Sequence, residues 1–309
     1  MSHVARYAVQ GLERALEQIG VRGHEVGLTP LGIRVVWKLA AFHLIRPLPW
    51  RRARAIIVPL MGLEEARLFP WVYLNQLIPF VFDCLPKEFG LWAALLRRHK
   101  MRIAVFSSRS AASEMGGRVK DCRCLWIPEG LEFSEYPPPK PLSDRSIDVL
   151  EFGRKYQKYH DQIVLPLKGH GFSHFYEKNS GDLVFPDRES FIRGLTNARI
   201  SICFPSSVTH PERFGDLETV TQRYFESMAA GAVLVGKAPA ELVELCGYDP
   251  VVAVDWTDPA GQLAGILESL HQYEGLQRRN AATVRERCGW AARVDQMIKE
   301  LARFEVVVQ

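Results

Sequence analysis

The chain has 309 residues, of which 47% are hydrophobic and 24% are charged, and its formal net charge at pH 7 is +4. This length and apolar content suffice for two medium-sized domains with real cores, and they exclude a disordered or fibrous protein. The mild charge gives no reason to expect a nucleic-acid partner, and the lack of an apolar membrane span or a signal-peptide core predicts a cytoplasmic protein.

The first half of the sequence alternates apolar runs with amphipathic stretches. Residues 4–19 predict an amphipathic helix, and the runs at 55–60, 78–82 and 103–107 predict strands, with a helix over 89–99 before the last of them. Because strands that alternate with helices usually pair in parallel, we expect a doubly wound α/β sheet.

Two features of this half are candidates for contacts with other molecules. Asp83 follows the second apolar run, at the expected carboxyl edge of the sheet. There it can bind a hydroxyl group or act as its base, or it can cap the helix expected after Pro86. The basic segment 46–54, which includes Trp50, is typical of a solvated loop and can also make weak peripheral contact with an anionic membrane.

Prolines mark a boundary near the middle of the chain. Four of the five residues from 137 to 141 are proline, which fixes backbone angles and removes hydrogen-bond donors. We expect a semi-rigid linker there. One domain would then cover residues 1–141 and a second would cover residues 142–309.

The second half opens with an apolar run at 147–152 that predicts a buried strand. Gly153 and Arg154 follow it directly, and Lys155 and Lys158 come soon after. A strand that ends in glycine and then cations suits close approach to a diphosphate, since the cations neutralise its charge. Which of the three cations binds the diphosphate is open at this point, and a solvated basic turn is the alternative.

The segment 200–236 predicts a strand, a polar acidic loop, a short helix closed by glycine and a second strand. Thr219 and Gln222 have the spacing of a capping box, which would open the helix. Arg223 and Glu226 would then lie in its first turns, where a guanidinium suits a diphosphate and a carboxylate suits sugar hydroxyls. Open α/β sheets bind ligands at this carboxyl edge, although a solvated, charged helix start is the alternative.

Four further elements are predicted towards the C-terminus, and they continue the alternation of helices and strands. They are helices at 239–246, 259–273 and 289–304 and a strand at 251–254.

Signs of a metal site are weak. His170 and His174 are four residues apart, but the glycines beside His170 argue against a helix that would put both rings on one face. The chain contains no Asp-x-Asp element, and Cys122 and Cys124 have no matching second pair. We therefore predict no metal ligands and reduced thiols at all six cysteines.

These motifs resemble the donor-site signature of GT-B glycosyltransferases. The matching pieces are Pro205-Ser206, Glu212-Arg213-Phe214-Gly215, Glu226-Ser227-Met228-Ala229 and Gly231. The signature is most similar to the bacterial branch that includes spore-coat proteins of the CgeB type, in which an arginine lies three residues before the glutamate. In the commoner retaining pattern the first glutamate lies eight positions before the second. Glu212 lies fourteen positions before Glu226, whereas Glu218 has the expected spacing without the Phe-Gly context.

The resemblance implies two Rossmann-like doubly wound domains with a cleft between them. The N-terminal domain would be an abbreviated acceptor-side domain, and the C-terminal domain would bind the donor, with its last helix packed back on the first domain. The family pattern carries the donor-binding role to seven residues of this chain: Gly153, Arg154, Lys158, Thr221, Arg223, Tyr224 and Glu226. Either Glu212 or Glu218 would face the transferred sugar.

The function implied by the resemblance is transfer of a sugar from a nucleotide diphosphate sugar to an acceptor hydroxyl, by a hexosyltransferase-like enzyme with no other cofactor. The acceptor would be a glycan, a lipid-linked molecule or a small molecule of cell-surface glycan biosynthesis. Retention at the sugar carbon is expected from the carboxylate spacing, and fixed cations can replace a metal ion at the leaving diphosphate. Two alternatives stay open: a nucleotide-sugar epimerase on the same fold, and a non-catalytic nucleotide-sugar-binding module.

Overall fold

A computed structural model describes residues 3–21, 29–42, 44–46, 55–179 and 182–304. The chain forms two compact units. The first unit consists of Met1–Gly130 together with Trp290–Gln309, and the second consists of Leu131–Gly289. The second unit is therefore inserted into the sequence of the first.

The elements of the described residues are as follows. The helices are α1 His3–Gln18, α2 Pro30–Ala41, α3 Glu65–Leu68, α4 Phe89–Arg98, α5 Arg109–Arg118, α6 Gln157–Gly169, α7 Arg188–Thr196, α8 Ser206–Thr209, α9 Pro211–Phe214, α10 Gln222–Ala230, α11 Ala240–Cys246, α12 Pro259–Glu268, α13 Leu270–Arg287 and α14 Trp290–Ala302. The strands are β1 Ala55–Leu60, β2 Gln76–Val81, β3 Ile103–Phe106, β4 Arg123–Trp126, β5 Ile147–Leu150, β6 His174–Phe175, β7 Ala198–Cys203, β8 Val233–Gly236 and β9 Val251–Ala253. Short 3₁₀ turns lie at Trp71–Tyr73, Pro86–Glu88 and Leu142–Asp144.

The first unit contains a four-stranded parallel sheet in the order β1-β2-β3-β4. Its three predicted strands are confirmed, and β4 is an additional one. Successive residues of β2 point to opposite faces of the sheet, as the period of a strand requires. Phe80 packs on one face with α1 and α14, and Val81 packs on the other with α4 and α5.

The second unit contains a five-stranded parallel sheet in the order β6-β5-β7-β8-β9. From β5 the chain moves outward to β6, and it then returns to place β7 on the other side of β5. Helices α6 and α12 pack on one face of this sheet, and α10 and α13 pack on the other. Both sheets are parallel and have helices on both faces, which is the α/β class that the sequence predicts.

Helix α10 is the central buried helix of the second unit. Every residue from Tyr224 to Ala230 is buried, and the helix ends where Gly231 takes a φ of +71°. A left-handed residue of this kind is the usual end of a helix and favours glycine. Thr221 stands at the start of the helix without a side-chain cap, so the predicted capping box of Thr219 and Gln222 is wrong.

The proline segment is a packed part of the second unit and not a free linker. A Cβ atom on Gly231 would lie 2.5 Å from the Pro139 side chain, which shows how closely the prolines approach the end of α10. Arg145, only 2% exposed, donates hydrogen bonds to the carbonyls of Lys140, Ala198 and Ala230 at 3.0, 2.7 and 3.0 Å. Burial lowers the pKa of this guanidinium to about 10.

Several other expectations are refined. The acidic loop after β7 contains the short helices α8 and α9, and the helix predicted over 259–273 is two helices, α12 and α13, that meet at Ser269. Of the basic segment 46–54, residues 47–54 lie outside the described part of the chain. No helix in the described ranges combines the length and the apolar character needed to cross a membrane.

Candidate functional site

The order of strands in the second unit places a topological switch point between β5 and β7. The connections after these two neighbouring strands run in opposite directions across the sheet. In open α/β sheets this switch point leaves a gap at the carboxyl ends of the strands, and ligands bind there. The residues that follow β5, Glu151 to Arg154, and those that follow β7, from Phe204 onward, therefore border the candidate site.

Gly153 brings two arginines together at this point. Its φ is +66°, and a Cβ atom added to it would lie 2.9 Å from Nη2 of Arg223. Arg223 reaches this position from the first turn of α10 and donates a hydrogen bond from Nη1 to the Arg154 carbonyl at 2.8 Å. Glycine is thus required at residue 153 both by the backbone angle and by the guanidinium beside it.

Aromatic rings hold the two guanidinium groups. The Arg154 group lies 5.2 Å from the ring centre of Phe214, and the Arg223 group lies 5.6 Å from the ring centre of Phe152. Rings at such distances attract cations through their negative faces. No carboxylate among the described residues forms an ion pair with Arg223, so its charge is available to an anionic ligand.

The two lysines of the predicted site differ in their surroundings. Lys155 donates a hydrogen bond to the Glu177 carbonyl at 3.3 Å and lies over the Tyr176 ring. Lys158 is exposed in the first turn of α6, and its Nζ lies 5.6 Å from the ring centre of Trp256. Lys158 is therefore the less constrained of the two cations.

Glu226 belongs to a buried charge network that the sequence did not reveal. Its Oε1 atom accepts hydrogen bonds from Arg188 Nη1 at 2.6 Å and from the Tyr136 hydroxyl at 3.3 Å. Arg188 also donates to Glu135 at 2.9 Å and to the Tyr136 hydroxyl at 3.0 Å. Among the described residues no hydrogen bond reaches the second oxygen, Oε2, of Glu226.

The pKa values of two members of this network reflect burial and charge. Burial raises the pKa of the Tyr136 hydroxyl, and the neighbouring Glu226 carboxylate raises it further. Burial lowers the pKa of Arg188, but the attraction of Tyr136, Glu226 and Glu135 outweighs it, and the net pKa is raised. Arg188 therefore stays charged beside the carboxylate.

The remaining predicted residues of the second unit lie in different environments. Glu218 forms an ion pair with Lys237, which follows β8, and the buried Tyr224 donates its hydroxyl hydrogen bond to the Lys237 carbonyl at 2.6 Å. Glu212 is exposed in α9 and has no ion-pair partner in the described chain. Thr221 is half-buried at the start of α10.

Asp83 lies in the first unit, exposed, two residues beyond β2. The helical turns that follow begin after Leu85 and Glu88, and neither start has a side-chain cap. The prediction that Asp83 caps the helix after Pro86 is therefore wrong. Its role towards an acceptor stays a prediction.

One group in the described part of the chain has the donor atoms for a metal ion. It consists of Glu151, His160 and His174, whose ligand atoms all lie within 4.8 Å of one another. Of the two histidines weighed in the sequence, only His174 belongs to it, and it lies on β6. His170 is an exposed residue at the end of α6.

The fold is similar to those of several solved glycosyltransferases, although no protein-family model and no curated protein sequence matches the chain. Sucrose-phosphate synthase from Thermosynechococcus elongatus superposes with a TM-score of 0.58 at 14% identity, covering 96% of this chain and 92% of that one. A glycosyltransferase from Rickettsia africae gives a TM-score of 0.59 at 10% identity, over 97% and 94%.

HepE from Anabaena, solved in complex with UDP, gives a TM-score of 0.57 at 12% identity and covers 94% of this chain and 88% of that one. HepE has also been solved with UDP-glucose. Similarity at these identities establishes architecture, and function must be argued from the site. With its two parallel-sheet units and these structural neighbours, the chain has the Rossmann-like α/β fold of the GT-B glycosyltransferases.

Proposed function

We propose that this protein is a glycosyltransferase that uses a nucleotide diphosphate sugar, bound by the second unit. The observation that carries the proposal is a pair of arginines beside the β5–β7 switch point: Arg223 packs against Gly153 and donates a hydrogen bond to the backbone carbonyl of Arg154. The complexes of HepE with UDP and UDP-glucose support a donor of this class. The arginine three residues before Glu226 supports a place in the CgeB-type branch.

The diphosphate is the part of the donor that this pair suits best. A guanidinium can bind phosphate oxygens through two parallel N–H groups, and two such groups can balance a doubly charged diphosphate. Lys158, exposed in the first turn of α6, adds a third cation. As the bond from the sugar to the phosphate breaks, these fixed charges stabilise the leaving group, so the transfer does not need a metal ion.

Glu226 is the proposed ribose-binding residue. Arg188 and Tyr136 hold its Oε1 atom, which fixes the orientation of the carboxylate and leaves Oε2 to accept a hydrogen bond from a sugar hydroxyl. Arg188 is then a positioning residue that acts through Glu226. A carboxylate held in this way loses little conformational freedom when a ligand binds.

For the chemical step we propose transfer with retention. The acceptor oxygen would form a bond to the sugar carbon on the face from which the diphosphate leaves, and its proton would pass to a donor phosphate oxygen. Glu212 or Glu218 would contact the transferred sugar, and Asp83 would bind the acceptor hydroxyl. We propose a hexose as the sugar and a glycan, lipid-linked or small-molecule acceptor of surface-glycan assembly.

The proposal is tested by calorimetric titration with UDP, GDP, ADP and dTDP and with their sugar conjugates. We expect one nucleotide to bind in the micromolar range. Arg154→Ala and Arg223→Ala should each weaken its binding by about 10- to 100-fold, since a charge-assisted hydrogen bond contributes about 1.5–3 kcal/mol. Arg278→Ala is the matched control, because Arg278 is an exposed cation of α13 that pairs with Glu274.

Two outcomes would overturn the proposal. Failure of every nucleotide to bind would remove the donor site, and equal losses in Arg154→Ala and Arg278→Ala would mean that the effect is only one of net charge. Incubation with the donor but without an acceptor distinguishes a transferase from an epimerase, because only an epimerase would convert the nucleotide sugar into its isomer. Turnover that disappears in EDTA and returns with Mn²⁺ or Mg²⁺ would contradict metal-independent transfer.

A further inference from the structure

Three elements of the second unit meet at a single carboxylate. Glu151 directly follows β5 and is only 4% exposed. Its Oε1 atom is 2.6 Å from Nδ1 of His160, in the first turn of α6, and 2.8 Å from Nε2 of His174, on β6. The two imidazole rings lie 5.7 Å apart, and the Tyr176 ring packs within 4.7 Å of both.

This donor set matches the preference of zinc. Two imidazole nitrogens and one carboxylate oxygen are the protein ligands of many zinc sites that keep a fourth position for water. With bonds of about 2.0–2.2 Å, the ligand atoms of a tetrahedral zinc ion lie about 3.3 Å apart. The present separations from the carboxylate oxygen are slightly shorter, so a small rotation of the side chains makes room for the ion.

The protein encloses the three groups of the cluster. The side chains of Glu151, His160 and His174 are 4%, 7% and 5% exposed. The second nitrogen of His174, Nδ1, is buried and has no hydrogen-bond partner among the described residues. The cluster therefore contains a buried polar atom that the described protein groups do not satisfy.

The cluster has a route to solvent. His174 and Tyr176 line an open cavity of about 380 Å³, together with residues of the segment 178–184. A cation in this cavity therefore lies beside His174 of the cluster.

We propose that Glu151, His160 and His174 bind a divalent transition metal ion, zinc in the first place, at a site that joins the end of β5 to α6 and β6 and leaves the fourth position to water. The ion would take the place of the two hydrogen bonds that now join the carboxylate to the imidazoles. The ion fixes the end of β5 two residues before Gly153, while the transfer chemistry is left to the arginines. This site does not depend on the proposed function, since its ligands are separate from Arg154, Arg223 and Glu226.

Metal binding itself is the readout of the test. The full chain is stripped with a chelator, dialysed and titrated with ZnCl₂ at pH 7.5, with the bound metal counted by elemental analysis and the melting temperature recorded with and without zinc. We expect one zinc ion per chain and a higher melting temperature. His174→Gln should weaken binding at least about 100-fold, because glutamine keeps an N–H group towards Glu151 but is a poor zinc ligand.

His170→Gln is the control, because His170 is a neighbouring exposed histidine outside the cluster. This variant should bind zinc as the wild-type chain does. No bound zinc in the wild-type chain, unchanged affinity in His174→Gln, or an equal loss in His170→Gln would each overturn the proposal.

A spectroscopic measurement on the wild-type chain covers the case in which His174→Gln fails to fold. Co²⁺ is added in place of zinc, and an intense visible absorption band of four-coordinate cobalt is expected at one equivalent. A weak octahedral spectrum at that ratio would also overturn the proposal.

Discussion

Removal of Arg188 should leave Glu226 as a buried carboxylate with a single donor, and the cost can be estimated from the structure. The Arg188 and Glu226 side chains are 20% and 8% exposed, and 2.6 Å separates the paired atoms. Removal of one partner from a buried ion pair costs about 3–5 kcal/mol. Because the pair is partly open to solvent and the Tyr136 hydroxyl remains, we expect Arg188→Met to lower the free energy of unfolding by about 3 kcal/mol.

The double-mutant cycle with Glu226→Gln isolates the pair. Glu226→Gln alone should cost less, about 1–2 kcal/mol, since Arg188 keeps Glu135 as a partner. The double variant should be more stable than the sum of the two losses predicts, by at least about 1 kcal/mol. The assay is urea unfolding followed by circular dichroism, with ligand-free protein at pH 7.5. Losses that add to within about 0.5 kcal/mol would refute a coupled network.

Three further predictions concern other residues. Gly153→Ala should weaken nucleotide binding about tenfold or more, because the new Cβ atom displaces the Arg223 guanidinium, which lies 2.9 Å away. The free energy of unfolding should fall by only about 1–2 kcal/mol. Titration calorimetry and a melting curve measure the two effects, and unchanged binding would contradict the prediction. Gly236→Ala should abolish soluble expression or cost more than about 3 kcal/mol, since its Cβ would lie 1.9 Å from the Cys203 carbonyl oxygen in the sheet; a melting temperature within a few degrees of wild type would contradict it. Glu65 has a lowered pKa, because hydrogen bonds from His99 and Arg98 outweigh the opposing effect of burial. The ionised Glu65 carboxylate therefore contributes its full stability at pH values above its ordinary pKa of 4.5, and this contribution is lost as the pH falls through its lower pKa in the folded state. The difference in unfolding free energy between the wild type and Glu65→Gln should therefore shrink in acid. A difference that grew in acid would contradict the prediction.

The sequence predicts much of the fold, because the signals of its elements are local. Apolar runs such as those of β1 and β3 are short and continuous, as buried parallel strands require, and the glycine after α10 marks the end of that helix. The sequence does not report how the proline segment packs, and the reason is physical. Proline content reports backbone stiffness, whereas the contact of Pro139 with the end of α10 depends on residues far away in the chain.

The same limit applies to the candidate site. Gly153, Arg154 and Arg223 carry a recognisable pattern, and the structure brings them together. Arg188 carries none, because it is a single arginine at the start of α7 whose partners lie 38 and more positions away. The cluster at Glu151 was missed likewise, since its members come from three elements and share no spacing.

The insertion of the second unit into the first has a consequence for biosynthesis. The first unit includes α14, which packs against α1, so its core cannot close until the ribosome has translated the whole second unit. The second unit is continuous in sequence, and a bridge between Leu131 and Gly289 brings its two ends together. During translation the second unit should therefore fold first. The strands of the first unit stay exposed until α14 has been synthesised, and during that time they need protection from aggregation.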